Sequence, residues 1–444
     1  FRSYKEKIGM DILIYTEVDN RELDAACLIK TEMERRGYRV AIERYNRICD
    51  AGNMLIYRPK MLILPWLYDS NFLFNFINEN NQGKLKLVNL QSEQVLSENF
   101  ILNNYHMPKE KCKEGYHLAW GRETAKRFVN NGISEEHIIQ AGNLNMDFNS
   151  KKFLTVYNTK NEMALEHNLD KEKKWVLFIS SFTHPSMTEE ERTRYLERFP
   201  FLKEFVDISI KSQEVLIKWF ERFVKENDDY EFIYRPHPVE LNNRKLVGLE
   251  NKYKNFHVIS QKSVRQWIFV CEYNLTWFST SIADVYFQKK PCAILRPLAI
   301  PREADCELFY DCESLKEYEE FLDFIKSKQQ NAFPIRDERF EKYYGTLECG
   351  MIYEEFCDRL EDILKSNEKM SNIELRCKWL SKIHRNMISF IFQLNKLVRM
   401  SGCPGVSRNR FMKEQLEEKW TNRKSYSIYK KRMCEVLRGV IEDV

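Results

Sequence analysis

The chain is poor in glycine and proline, with 14 and 12 in 444 residues, and it carries no low-complexity tract and no repeat at solenoid periods. Collagen-like, disordered and repeat architectures are thereby excluded. No uninterrupted apolar stretch approaches membrane-spanning length, and Phe1-Arg2-Ser3-Tyr4 shows no apolar signal core, so neither a span nor secretion is expected. The 12 cysteines lack the paired short spacings of zinc sites. Several, such as Cys27, Cys271 and Cys292, sit inside apolar runs, which fits unpaired thiols in a reducing cytoplasm. There is no Asp-x-Asp triplet between strands and no His/Cys cluster of ligand spacing, so no metal and no cofactor is expected. A net charge of only +4 gives no global sign of nucleic-acid binding.

What is there is apolar and aromatic: 43% hydrophobic and 13% aromatic residues can fill sizeable cores, and the length favours two α/β domains plus an extension. The charge is unevenly spread. Beyond Lys365 about 17 Lys/Arg face about 8 Asp/Glu, leaving this stretch near +9 and the rest near −5.

Short apolar runs alternate with helical patterns from Asp11 to about Phe148, the signature of a parallel sheet wrapped by helices. Asp11–Tyr15 reads as a first strand, Glu22–Arg36 as a helix closed by Gly37, and Tyr38–Ile42 as the next strand. Further strands are expected at Met61–Leu64, Leu85–Val88, His117–Trp120 and Ile138–Gln140. Asn149–Lys174 is polar and reads as the interdomain linker. A second series follows: strands Trp175–Ile179, Tyr230–Tyr234, His257–Ile259, Tyr273–Trp277 and Cys292–Leu295, with helices Ser212–Lys225, Val264–Cys271 and Ile282–Gln288. The expected domains are 8–150, 172–365 and a basic helical extension 366–444. Within the extension, Ile373–Met400 is a basic amphipathic pattern, suited to packing on protein or to lying on an anionic membrane surface.

Two loops carry the chemistry. Arg235-Pro236-His237-Pro238 follows a buried strand, and its prolines fix the backbone so that His237 is held at a defined angle, able to donate to a phosphate oxygen or to move a proton. Arg235 can add a bidentate contact; the bland alternative is a stiff turn. Ser279-Thr280-Ser281 lies between a strand and a helix, where hydroxyls and N–H groups suit phosphate or simply cap the helix. Asp284, one turn later, can reach a ribose hydroxyl or complement the helix dipole. Arg296 follows the next strand and is a further phosphate candidate. His184, in Ser181-Phe182-Thr183-His184-Pro185, is another candidate, or a loop stiffener. A base for an acceptor hydroxyl is sought in the first domain, where Glu93 leads and Glu22 and Asp24 follow.

Taken together, these motifs resemble bacterial surface-polysaccharide enzymes of the GT-B fold. The second domain is similar to the CDP-glycerol and CDP-ribitol polyolphosphotransferases, in which a His-Pro motif precedes a paired-hydroxyl motif with an Asp; Phe278-Ser279-Thr280-Ser281-Ile282-Ala283-Asp284 keeps that register. Capsule Kdo transferases and polysialyltransferases are similar too, and Lys290-Pro291-Cys292-Ala293-Ile294 matches the lysine-proline strand start that comes next. In the first domain Val18–Asp24 and Arg35–Val40 resemble the opening of surface carbohydrate biosynthesis proteins. Gly142-Asn143-Leu144-Asn145-Met146-Asp147 resembles their Gly-Asn-x-x-x-Asp closing segment, with Leu144 and Asn145 in place of the family's proline and arginine.

The resemblance implies an α/β, GT-B-like protein with two Rossmann-like, doubly wound domains facing a cleft. It implies a metal-independent transferase moving a Kdo- or sialic-type sugar or a polyol phosphate from a cytidine-nucleotide donor to a glycan or lipid-linked acceptor. His237, Ser279 and Thr280 would stabilise the departing phosphate. The competing readings are a UDP-sugar 2-epimerase-like enzyme and a non-catalytic scaffold of polysaccharide assembly docked on membrane by its tail. Either way the expected place is the cytoplasm or the inner face of the cell membrane.

Overall fold

A computed structural model describes residues 9–45, 53–54, 57–68, 85–94, 97–237, 240, 243–310, 312, 314–327, 337–345, 351–368, 387 and 423–442. Among them, the first six strands, β1 (Ile12–Thr16), β2 (Val40–Arg44), β3 (Met61–Leu64), β4 (Lys86–Asn89), β5 (Tyr116–Leu118) and β6 (Ile138–Ile139), form one sheet in the order β2-β1-β3-β4-β5-β6. A second sheet has β7 (Lys174–Ile179), β8 (Tyr230–Arg235), β9 (Phe256–Val258), β10 (Tyr273–Thr276), β11 (Cys292–Leu295) and β12 (Ser314–Leu315) in the order β12-β11-β10-β7-β8-β9. Every pairing within both sheets is parallel. The central strands are buried along their length, as continuous runs such as Ile12-Leu13-Ile14-Tyr15 require when helices cover both faces.

The helices that matter to the site are α1 (Asp19–Arg35), α2 (Lys203–Glu226), α3 (Val264–Val270), α4 (Ile282–Phe287), α5 (Ile352–Lys365) and α6 (Arg423–Glu442). α1 ends where the sequence places its stop: Gly37 adopts φ +91°, and the N–H of Tyr38 returns to the Met33 carbonyl at 3.0 Å. α2 lays Leu216, Phe220 and Phe223 on the second sheet, against Phe178 and Phe232, with Phe223 also meeting Phe321 of the helix Tyr318–Lys326. The two Rossmann-like lobes and a C-terminal helix thus stand as expected.

The chain divides into two compact units, and the division differs from the sequence expectation at 94–106, at the linker, at the extension, and at 343–365, which was expected in the second domain and belongs to unit 1. Unit 1 comprises 1–93, 107–147 and 343–444; unit 2 comprises 94–106 and 148–342. Residues 94–106 join unit 2 because the Asn99 N–H donates to the Glu303 carbonyl at 2.8 Å, Ser97 bridges to Cys306, and Phe100 packs with Leu202 and Val206. The expected linker is folded as well: Lys151–Val156 is a 3-10 helix and Lys160–His167 an α-helix with a Thr159/Glu162 capping box. Phe153 and Met163, isolated among polar residues, are fully buried, and this burial, not the charge around them, decides the conformation.

The third difference is the C-terminal extension, whose described part belongs to the first lobe. α6 packs on α1, with Tyr429 donating to Asp24 at 2.7 Å, the Lys430 ammonium donating to the Ile42 carbonyl at 3.1 Å, and Leu437 fully buried. The amphipathic pattern at Ile373–Met400 lies, Met387 apart, outside the described residues. Among the described residues no helix is long and apolar enough to cross a membrane. Their eight cysteines are buried free thiols.

The Gly-Asn-x-x-x-Asp segment seats α5. Asp147 is fully buried, and its two carboxylate oxygens accept the N–H groups of Ile352 and Tyr353 at 3.0 and 2.7 Å, capping the helix from a distant part of the chain. Gly142 has φ +105°, and a Cβ there would stand 3.0 Å from Ile352. Asp147→Ala should therefore cost about 2 kcal/mol in urea unfolding, within the range of lost caps and buried charge-assisted bonds. An unchanged midpoint would contradict the capping role.

Candidate functional site

In the second sheet β8 and β9 lie on one side of β7, and β10, β11 and β12 on the other, so the order reverses between β7 and β10. Ligands of open parallel sheets bind beyond the carboxyl ends of the strands at such a reversal. The residues that arrive there are Ser180–His184 after β7, Pro236, His237 and Glu240 after β8, Trp277–Ser281 after β10 and Arg296 after β11.

The loop after β10 is stiffened from below. The Thr276 hydroxyl donates to the Ile179 carbonyl at 2.8 Å, locking β10 to β7, and accepts the Ser279 N–H at 3.1 Å. The Ser281 N–H donates to the Ser279 hydroxyl at 3.3 Å. Ser281 stands at the N-cap of α4 but makes no side-chain capping bond. The hydroxyls of Thr280 and Ser281 have no partner among the described residues, and all three side chains are half-buried. Plain N-capping is thus not what occupies these hydroxyls.

The loop after β8 turns on a residue that the sequence reading passed over, Glu240. Its carboxylate is 1% exposed and accepts four hydrogen bonds: from Tyr234 at 2.5 Å and Gln213 at 2.7 Å on one oxygen, and from Ser180 at 2.5 Å and the His237 N–H at 3.2 Å on the other. The Glu240 N–H donates back to the His237 carbonyl at 2.8 Å. Burial pushes the Glu240 acid up to about 7, against the pull of its four donors. His237 itself is half-buried at the mouth of this network. A Glu three residues after the His of the His-Pro pair was the available signal.

Arg235 takes a different part from the one expected. It is 8% exposed and donates to the carbonyls of Gln261 and Lys262 at 2.8 and 2.5 Å, stapling β8 to the loop beyond β9. Burial and the neighbouring Arg265 bring its guanidinium down to about 10. Asp284 also turns inward, accepting from Asn149 at 3.3 Å; Asn149 in turn accepts from Gln288 at 2.8 Å. Burial raises the Asp284 acid, and Arg265 opposes the shift.

Arg296 is 5% exposed, donates to Asp305 at 2.8 Å through Nη2, and lies over the rings of Trp277, Phe278 and Phe309 at 5.7, 5.5 and 5.3 Å. Its Nη1 has no partner among the described residues, so one donor at the end of β11 remains unused. His184 is buried between Tyr195 and Phe205, with ring centroids at 5.4 and 5.7 Å. Burial first, then Arg192 and His237, bring it down to about 4, so it is a neutral imidazole at pH 7.

In unit 1 the order reverses between β1 and β3, and the expected carboxylates separate into different roles there. Arg21 donates to Glu22 at 2.7 Å and to Glu93 at 2.8 Å, and the Trp66 indole N–H donates to Glu17 at 2.6 Å. Glu22 is 4% exposed and also accepts the N–H groups of Glu17 and Val18, so it anchors the turn after β1. Its burial raises its acid. Asp24 is held by Tyr429 of α6. Glu93 alone of the three keeps a substantially exposed side chain, at 38%.

No family model matches the chain, and no curated protein matches it in sequence. Solved structures do match its fold. The wall teichoic acid polymerase TagF aligns at TM-score 0.53 and 14% identity over 81% of this chain and 90% of that one. A TagF variant soaked with CDPG aligns at 0.52 and 12% identity over 81% and 89%. MnaA of S. aureus, solved with UDP, aligns at 0.50 and 13% over 82% and 98%. The likeness is to GT-B-like folds of surface carbohydrate enzymes, as the motifs imply, and is one of fold.

An acid raised from 4.5 to about 7 holds its proton in the folded chain where the unfolded chain has released it. Its stabilising contribution is full below about 4.5 and is lost as pH rises through about 7. Relative to Glu240→Gln, the wild type should lose stability between those values, on the order of 3 kcal/mol at most. Urea midpoints of both chains at pH 4.5, 6 and 7.5 measure it, and a constant difference across the series would contradict it.

Proposed function

We propose that the chain is a metal-independent GT-B transferase of a surface-polysaccharide pathway, moving a Kdo- or sialic-type sugar or a polyol phosphate from a cytidine-nucleotide donor to a glycan or lipid-linked acceptor. The observation that carries this is the pair of loops flanking β7. The unbonded hydroxyls of Thr280 and Ser281 follow β10, His237 follows β8, and both strands pair directly with β7. Strands two apart are roughly 10 Å apart, a gap that inward-reaching side chains close around a diphosphate. The fold match to a polymerase solved with CDPG supports the cytidine donor.

In the reaction the leaving group is a nucleotide phosphate that gains charge as the bond to the transferred group breaks. The Thr280 and Ser281 hydroxyls donate to that charge, and the His237 imidazole donates a hydrogen bond or a proton to the departing oxygen. The orphaned Nη1 of Arg296 adds a fixed positive donor beside the same loop. Asp284 and His184, buried and internally bonded, keep α4 and the β7 loop in place. Glu93, exposed though paired with Arg21, is the base candidate of unit 1, since Glu22 and Asp24 are committed to backbone and to Tyr429.

A second reading, a UDP-sugar 2-epimerase-like enzyme, is favoured by the match to MnaA with UDP. Calorimetry separates the two. CDP should bind at least tenfold more tightly than UDP, and Thr280→Ala or His237→Ala should each weaken CDP about tenfold, the loss of one charge-assisted bond. Selective UDP binding would overturn the cytidine donor. Glu93→Gln should leave CDP affinity unchanged while abolishing transfer to any accepted acceptor, and unchanged transfer would remove Glu93 as the base.

A further inference from the structure

We propose that Glu240 is the positioning residue of the donor site, the carboxyl that fixes the His237 backbone against the ends of β7 and β8. This rests on the reading of His237 as a phosphate contact.

The geometry is reciprocal. The backbone closes from the Glu240 N–H to the His237 carbonyl at 2.8 Å, and the Glu240 side chain doubles back to the His237 N–H at 3.2 Å. His237 is therefore gripped at both polar atoms of its main chain by one residue. The remaining bonds of the carboxylate go to three separate elements: Ser180 at the end of β7, Tyr234 on β8 and Gln213 on α2. Those three elements are held in turn by the aromatic core of the unit, where Tyr234 packs against Phe178 and Phe220. The His237 main chain is thus tied to the sheet.

α2 shows the same commitment from its own side. On its buried, otherwise apolar face, Ser209 and Ser212 have no hydrogen-bond partner among the described residues, and Gln213 is the polar side chain that reaches Glu240. Burying polar groups in a packed face costs free energy unless they bond, and Gln213 spends its amide on Glu240. A turn needing only stiffness would be served by Pro236 and by the backbone bond. A four-donor carboxyl adds orientation of the imidazole, and a displacement of about 1 Å at such a contact is enough to weaken it.

The substitutions separate orientation from charge. In Glu240→Gln the side-chain oxygen can accept from Ser180 and the His237 N–H, while its amide donates to the Tyr234 oxygen and, once the Gln213 amide is turned over, to the Gln213 oxygen. Tyr234 can then donate to Ser180, which lies 3.0 Å away. Glu240→Asp keeps the carboxyl group but is one methylene short of the His237 N–H.

The test uses the full chain, with CDP as the probe, and reads two quantities: affinity by calorimetry and amide hydrogen exchange of the peptide containing His237. Glu240→Gln should stay within about threefold of wild type in affinity with unchanged exchange. Glu240→Asp and Glu240→Ala should weaken CDP about tenfold and speed exchange around His237. His237→Ala should weaken CDP without speeding exchange at Ser180. Should Glu240→Ala fail to fold, Glu240→Asp carries the comparison. Wild-type affinity and exchange in Glu240→Asp, or a Glu240→Gln chain as weak as Glu240→Asp, would overturn the positioning role. Wild-type affinity in His237→Ala would instead strike the phosphate reading of His237, and the positioning role with it.

Discussion

Parallel strands deliver their carboxyl-end loops to one edge of a sheet, and a single reversal of strand order opens room there that no crossover helix fills. In unit 2 that reversal falls between β7 and β10. Everything proposed for the donor site follows from it: the loop of β8 and the loop of β10 stand on either side of β7, one bearing an imidazole and the other two unbonded hydroxyls. The aromatic core beneath, in which Trp277 stacks on Phe182 and packs on Phe205, leaves the sheet little freedom to rearrange. Ser279 and His237 are tied to it through Thr276 and Glu240.

Much of this was legible in the residues because a buried parallel strand announces itself as an apolar run, and its loop begins where the run ends. Tyr230–Arg235 and Tyr273–Thr276 end one residue or less from where their apolar runs end, so His237 and Ser279-Thr280-Ser281 were placed at the correct edge. What was not legible depends on contacts distant in sequence. Nothing local says that Arg235 turns toward the Gln261 and Lys262 carbonyls, that Asp24 meets Tyr429, or that Asp147 caps a helix beginning at Ile352. Glu240 was missed for a different reason: a lone Glu in a loop is usually solvated, and only the convergence of Ser180, Gln213 and Tyr234 removes it from water.

The division of the chain has the same origin. Polar composition suggested a linker at 149–174 and an appended tail after 365. Burial of Phe153 and Met163 folds the first, and burial of Leu437 with the Tyr429–Asp24 bond binds α6 to α1. The C-terminal helix is thereby part of the lobe that carries Glu93. Its basic residues are in part spent internally: the Lys430 ammonium donates to the Ile42 carbonyl.

The most direct test of the donor site is a crystal soaked with CDP. The account predicts both phosphates beyond the end of β7, with oxygens at about 2.7–3.2 Å from the Thr280 and Ser281 hydroxyls and the His237 ring. Phosphates seated elsewhere on the sheet edge, out of reach of all three, would contradict it.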